Sequence, residues 1–230
     1  MKRVNRWHLL VHYLAAVIGG FLGGYSVFNH ADILCNAQTG NLIRLAHNLV
    51  EGDYSFVWLM VLALLIYCGG TVFYVLVRRK VTCSMKIVCM ISVAAAIALT
   101  GFISFTDSDF IAVYPLIFVA PIQWNAFKTV DSDSSSTIFC SSNVLQATML
   151  TTTFLMTRDR HYARRAMVFW LTLLSFLIGV SFACSMSMWF GVQAIWFCYP
   201  VLAMTAFAYW RYYLNNKRSR SCAVTVIPRN

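Results

Sequence analysis

Read for its alternation of apolar and polar positions, the chain divides into long apolar runs joined by short polar segments. Six runs, at about 9–28, 55–77, 86–104, 110–127, 166–188 and 191–211, hold enough apolar residues to cross a hydrocarbon core of about 30 Å as helices. Aromatic residues gather near their ends, at Trp7, Trp58, Trp170 and Tyr209, Trp210, Tyr212 and Tyr213, as interfacial side chains do. Two further segments, 36–50 and 138–156, are shorter and carry Asn, Gln, Ser, Thr, Arg and His. The pattern predicts an all-α fold. The expectation is one polytopic transmembrane bundle over 1–230, with six spans, two short polar helices and no separate soluble domain.

Composition narrows this. The chain is 60% hydrophobic and 11% charged, against about 25% charged in an ordinary soluble domain. So much apolar surface needs lipid as its solvent. The net charge of +10 is no nucleic-acid footprint, because the bases sit in clusters between apolar runs rather than along one face. The clusters are Lys2/Arg3/Arg6, Arg78/Arg79/Lys80/Lys86, Arg158/Arg160/Arg164/Arg165 and Lys217/Arg218/Arg220. A basic start before an apolar run resembles a signal peptide. The run from Leu9 to Phe28 is too long for that, and no small-x-small cleavage site follows it. It is expected to be a mature span.

Basic clusters favour the cytoplasmic side, and this rule orients the segments. With the N-terminus inside, the first span exits near His30, and the second must end inside at Arg78-Arg79-Lys80. The segment 36–50 then begins and ends outside, so it dips in and returns. The same bookkeeping places 138–156 as a re-entrant element from the cytoplasmic side, with the polar basic tail from Asn215 to Asn230 also inside. Arg44 is the one base that falls in a dipping element. Each half reads span, short element, span, span, at about 9–104 and 110–211. Three spans per half give the halves opposite orientation, the plan of an inverted-topology repeat. "LCNAQTGNLIRLA" faces "IFCSSNVLQATML", with Thr39-Gly40 opposite Ser142-Asn143 at an offset of 103.

The short elements carry the candidate chemistry. A helix starting near Thr39 puts free N–H groups at membrane depth, with Thr39 as its N-cap and Gly40 allowing close approach. Gln38 and Asn41 add amides. Such a helix start favours an anion or an oxygen-rich neutral solute. Ser141, Ser142 and Asn143 offer a matching end from the other element. Arg44, one turn further on, either attracts an anion or pairs with Asp32 or a lipid phosphate. Asn125, beside Gln123 and Trp124, either lines an entrance or packs at an interface. Alternatively, Thr39-Gly40-Asn41 only caps a packed helix, and Ser141-Ser142-Asn143 only joins helices. All eight acids lie outside the six spans, so no mid-span carboxylate is available for a cation or proton relay.

Other chemistry is sparse. The eight cysteines include no C-x-x-C pair and no zinc spacing, and read as small apolar thiols. His8 and His12 lie one turn apart without a third ligand, which suggests an interfacial pair rather than a metal site. No G-x-S-x-G, H-E-x-x-H or paired intramembrane carboxylate points to an enzyme, and no cofactor is expected. "GGFLGG" at 19–24 spaces Gly19/Gly23 and Gly20/Gly24 for close helix packing; a backbone lining a solute route is the other reading.

"GGFLGGYSVF", then "AQTGNLIRLA", "WNAF" and a second short polar element resemble the YoaK-type family of bacterial membrane proteins over about residues 10–210. That family typically has Asp where this chain has Gly23, and Thr-Gly where it has Ser142-Asn143. The resemblance implies a multi-span fold in the bacterial cytoplasmic (inner) membrane and names no substrate. The expected function is a transporter or channel for a small solute, anionic or neutral rather than cationic. The alternatives are a membrane scaffold or accessory protein, or an intramembrane enzyme. Expected partners are the lipid bilayer, a small solute and another copy of the chain, with no nucleic acid.

Overall fold

The computed structural model describes residues 6–30, 33–104, 110–130, 133–138 and 140–224. Lys2, Arg3, Asp32, residues 105–109, Asp131 and residues 225–230 lie outside them. Eight α-helices run α1 (Arg6–Asn29), α2 (Gln38–Glu51), α3 (Tyr54–Lys80), α4 (Met85–Ile103), α5 (Tyr114–Phe127), α6 (Cys140–Thr157), α7 (Arg160–Phe190) and α8 (Cys198–Val224) among the described residues. Short 3-10 stretches, Ile111–Val113 and Gly191–Phe197, lead into α5 and α8. Each predicted apolar run coincides with a helix, and each short polar segment with another. The addition to the expected all-α fold is a two-residue antiparallel pairing of β1 (Thr129–Val130) with β2 (Asp133–Ser134).

Polar residues punctuate the apolar stretches. Asp53, Ser84 and Asp159 cap α3, α4 and α7, accepting bonds from Phe56 N, Lys86 N and His161 N, which satisfies donors a helix start leaves open. Both short helices end on a left-handed residue, Gly52 (φ 81°) and Arg158 (φ 57°), each followed by a capping Asp. Among the described residues, four helical stretches are long and apolar enough to cross a membrane: Arg6–Asn29, Tyr54–Lys80, Met85–Ile103 and Arg160–Lys217. The last comprises α7 and most of α8, joined at Gly191 (φ 55°), and Ile111–Phe127 is a shorter apolar helix. Trp58, Leu65, Ile91, Leu177 and Trp189 are all more than half exposed, a surface for lipid rather than water.

The core forms around α1, which is buried almost continuously from Val11 to Ser26. α1 packs on α7 and α8, α5 packs on α3 and α4, α2 lies on α3, and α6 lies on α7. Glycines set the closest approaches. A Cβ on Gly179 would lie 2.1 Å from the Val17 carbonyl oxygen, and one on Gly20 would lie 2.0 Å from that of Phe176. A Cβ on Gly70 would lie 2.1 Å from the Phe118 carbonyl oxygen. Small residues let these backbones touch where side chains would hold them apart.

Hydrogen bonds and ring contacts give the helix directions. His12 meets Thr172 (3.2 Å) and Asn29 meets Ser187 (2.7 Å), so α1 and α7 run parallel. Tyr114 donates to the Leu59 carbonyl (3.1 Å) and Tyr74 to that of Asn125 (3.4 Å), so α3 and α5 are parallel too. His8 stacks on Tyr212, while Tyr25 donates to the Val192 carbonyl, so α8 returns antiparallel to α1.

Candidate functional site

After α1 ends at Asn29, the chain doubles back along it. Ser26 Oγ accepts from Cys35 N (3.2 Å), Cys35 Sγ donates to the Leu22 carbonyl (3.4 Å), and Asn36 Nδ2 donates to that of Gly19 (3.3 Å). Ten residues of helix separate Asn29 from Gly19, so the chain has returned about 15 Å before α2 begins. The segment before α6 reaches the same place from the other end. Ser135 Oγ lies 3.2 Å from His12 Nε2. A Cβ on Gly19 would be 2.3 Å from the Thr137 carbonyl oxygen and 2.9 Å from Ile138 Cγ2. The turns leading into both short helices therefore meet on Gly19. Gln123 of α5 completes the junction: its Nε2 donates to the Ala15 carbonyl (2.8 Å) and stands 3.2 Å from the same Cβ position.

The two turns are held alike. Asn41 Nδ2 donates to the carbonyl of Leu34 (2.9 Å), and Asn143 Nδ2 to that of Ser136 (2.5 Å), each seven residues back. Asn41 and Asn143 are 102 residues apart, as are Leu34 and Ser136, and the helices start 102 apart at Gln38 and Cys140. This spacing is one residue shorter than the offset of 103 expected from the sequence. Thr39 corresponds to Ser141 and Gly40 to Ser142. A slip of one position turns a helical side chain by about 100°, so it changes which residues face inward.

The inward set differs accordingly from the sequence expectation. Asn41 and Asn143 are buried, while Thr39, Ser141 and Ser142 are exposed. Thr39 does not cap α2 either: Ala37 occupies the N-cap without a side-chain bond. Gly40 packs beside Leu34. Arg44 is half-buried, six residues or about 9 Å along α2 from its start. Asn125 bonds its own helix at the Pro121 carbonyl (2.8 Å), and its neighbour Gln123 enters the junction instead. The expected α6 half-helix is 18 residues long against 14 for α2.

Sequence reasoning passed over Asn36, His12, Ser135, Thr137 and Thr172 as site residues, and left Gln123 undecided. His12 is no interfacial partner of His8. It is buried, with Nε2 3.2 Å from both Ser135 Oγ and Thr172 Oγ1, and it ties α1 to α7 and to the turn before α6. His8 lies 3.1 Å from Lys86 Nζ. The signal for the junction was "GGFLGG": Gly20 and Gly24 face α7, and Gly19 and Gly23 face the turns.

Among the described side chains the junction is polar and holds no Asp, Glu, Lys or Arg. Gln38 Nε2, Asn41 Oδ1 and Thr137 Oγ1 are buried without a hydrogen-bond partner, and buried polar groups seldom stay so without a reason. Together they offer amide donors, an amide acceptor and a hydroxyl. No group of three His, Cys, Asp or Glu side chains is placed to hold a metal among the described residues. The seven cysteines whose side chains are described are all unbonded thiols.

Apolar helices with a lipid-facing surface and a buried polar junction define a multi-helix integral membrane protein. The chain matches the model of a family described as protein of unknown function (DUF1275) over residues 11–208, and it belongs to that family. This is the family to which the resemblance in "GGFLGGYSVF" and "AQTGNLIRLA" points. No curated protein and no solved structure matches it.

Proposed function

We propose that the protein moves a small solute across the bacterial cytoplasmic membrane, as a transporter or channel, through a site where the turns before α2 and α6 meet on Gly19. One observation carries this reading: three buried polar atoms without partners, on Gln38, Asn41 and Thr137, in or beside the two turns that converge on one glycine. Irregular backbone at membrane depth is tolerated inside protein or beside water, and transporters use interrupted helices for their sites.

In this reading the chain crosses the membrane six times, α2 and α6 are re-entrant from opposite sides, and residues 9–104 and 110–211 are inverted repeats. The exchange of partners supports it, since α1 packs on α7 and α8 as α5 packs on α3 and α4. The paired asparagines and the paired Gly52-Asp53 and Arg158-Asp159 turns support it as well. The parallel course of α1 with α7 and of α3 with α5 agrees with the order of basic clusters, which puts both termini in the cytoplasm. Among the described side chains the junction holds amides, hydroxyls and an imidazole and no carboxylate, which favours an anionic or neutral solute over a cation.

The test is a flux screen with purified protein in liposomes, over small inorganic anions, organic anions and neutral polyols. At least one should move. Asn41→Ala and Thr137→Val should each lower its flux about tenfold, the effect of about 1.4 kcal/mol on a barrier, with the fold intact by thermal melting. Full flux in both variants would remove the site. No flux of any solute would remove the transport reading and leave a scaffold.

A further inference from the structure

Away from the junction, α4 and α8 leave a groove between them. Its inner part, about 450 Å³, is lined by Ile91, Ala94, Tyr199 and Ala203. Its outer part, about 490 Å³, is lined by Thr82, Cys83, Ser84, Trp210 and Tyr213. Ile87, Met90 and Ala206 line both, so the two parts are continuous. The inner part is apolar along its length, and the outer part ends in hydroxyls and aromatic rings.

We infer that this groove binds one anionic phospholipid, with an acyl chain along α4 and α8 and the phosphate at the loop joining α3 to α4. Length is the first reason. Ser84 to Ala94 is ten helical steps, about 15 Å, which is half of a hydrocarbon core of about 30 Å. The groove thus runs from an interface to the middle of the bilayer, the reach of a chain in one leaflet. Charge is the second reason. Arg78, Arg79 and Lys80 are exposed at the end of α3, immediately before Thr82 at the groove mouth. No acid occurs anywhere from Tyr54 to Ser104 or from Cys198 to Val224. The start of α4 adds its own positive end. Lys86 turns away, over the rings of Phe127 and Tyr212, so the three bases of α3 are left to meet a headgroup. Aromatic rings at the mouth suit the headgroup level, and juxtamembrane bases draw anionic lipid.

Native mass spectrometry of the detergent-purified chain, titrated with phosphatidylglycerol or phosphatidylcholine, tests this. One phosphatidylglycerol per chain should be retained in preference to phosphatidylcholine. Arg79→Gln should weaken that preference about fivefold, as should Lys80→Gln. Ala206→Trp should block the inner groove and reduce retention of both lipids. The inference is overturned by equal retention of the two lipids, by a preference that survives both Arg79→Gln and Lys80→Gln, or by unchanged retention in Ala206→Trp. A dimer that cross-links through the groove cysteine Cys83 and excludes lipid would overturn it too, giving the groove to a second copy of the chain. None of these readouts depends on solute flux.

Discussion

Gly19 is the residue on which the junction depends. Any side chain there meets the Thr137 main chain, which cannot rotate aside as a flexible side chain would. Gly19→Ala is expected to destabilise by about 1–3 kcal/mol, as overpacking does, and to lower the melting temperature in detergent. An unchanged melt would mean that the turn before α6 does not rest on α1. The paired asparagines should differ in weight. Asn143 both donates to the Ser136 carbonyl and accepts from Ser136 N (3.0 Å), whereas Asn41 makes only the donated bond, with its Oδ1 unpartnered. Asn143→Ala should therefore cost about 2–3 kcal/mol and Asn41→Ala about 1, with flux the more sensitive readout at position 41. Equal melting losses would place both asparagines in a purely structural role.

Among the elements, helix position was legible in the sequence and helix facing was not. Apolar length and polar punctuation located every helix, because a span must be apolar and its ends capped. The inward face of the short helices depended on register. Thr39 looks like a cap because Thr caps helices well, yet the N-cap is Ala37, two residues earlier. In the observed register Thr39 and Ser141 lie outside, while Asn41 and Asn143 stay inside. Gln123 and Asn125 could not be told apart by type; only the face of α5 that meets α1 separates them. The capping turns give a prediction at this scale. α2 closes on Gly52, for which a positive φ is free of penalty, whereas α6 closes on Arg158 in the same left-handed region, where a Cβ is unfavourable. Arg158→Gly is expected to stabilise the chain by about 0.5–1 kcal/mol, read as a higher melting temperature; a lower one would show that the Arg158 side chain contributes more than its backbone strain removes.

For the whole molecule, the proposed inverted repeat makes a claim about sidedness. Cysteines introduced at Asp53 and Asp159, in a background without the native thiols, should react with impermeant reagents from opposite faces of the membrane. Labelling of both from one face would rule out the repeat, whatever the resemblance between its halves. The convergence of the two turns on Gly19 also has a thermodynamic consequence. Two turns that share one contact point are linked equilibria. If occupancy at the turn before α2 alters the turn before α6 by some factor, linkage requires the turn before α6 to alter the turn before α2 by the same factor. In that sense Gly19 is a fulcrum, and the order in which a ligand reaches the two sides cannot change the free energy that couples them.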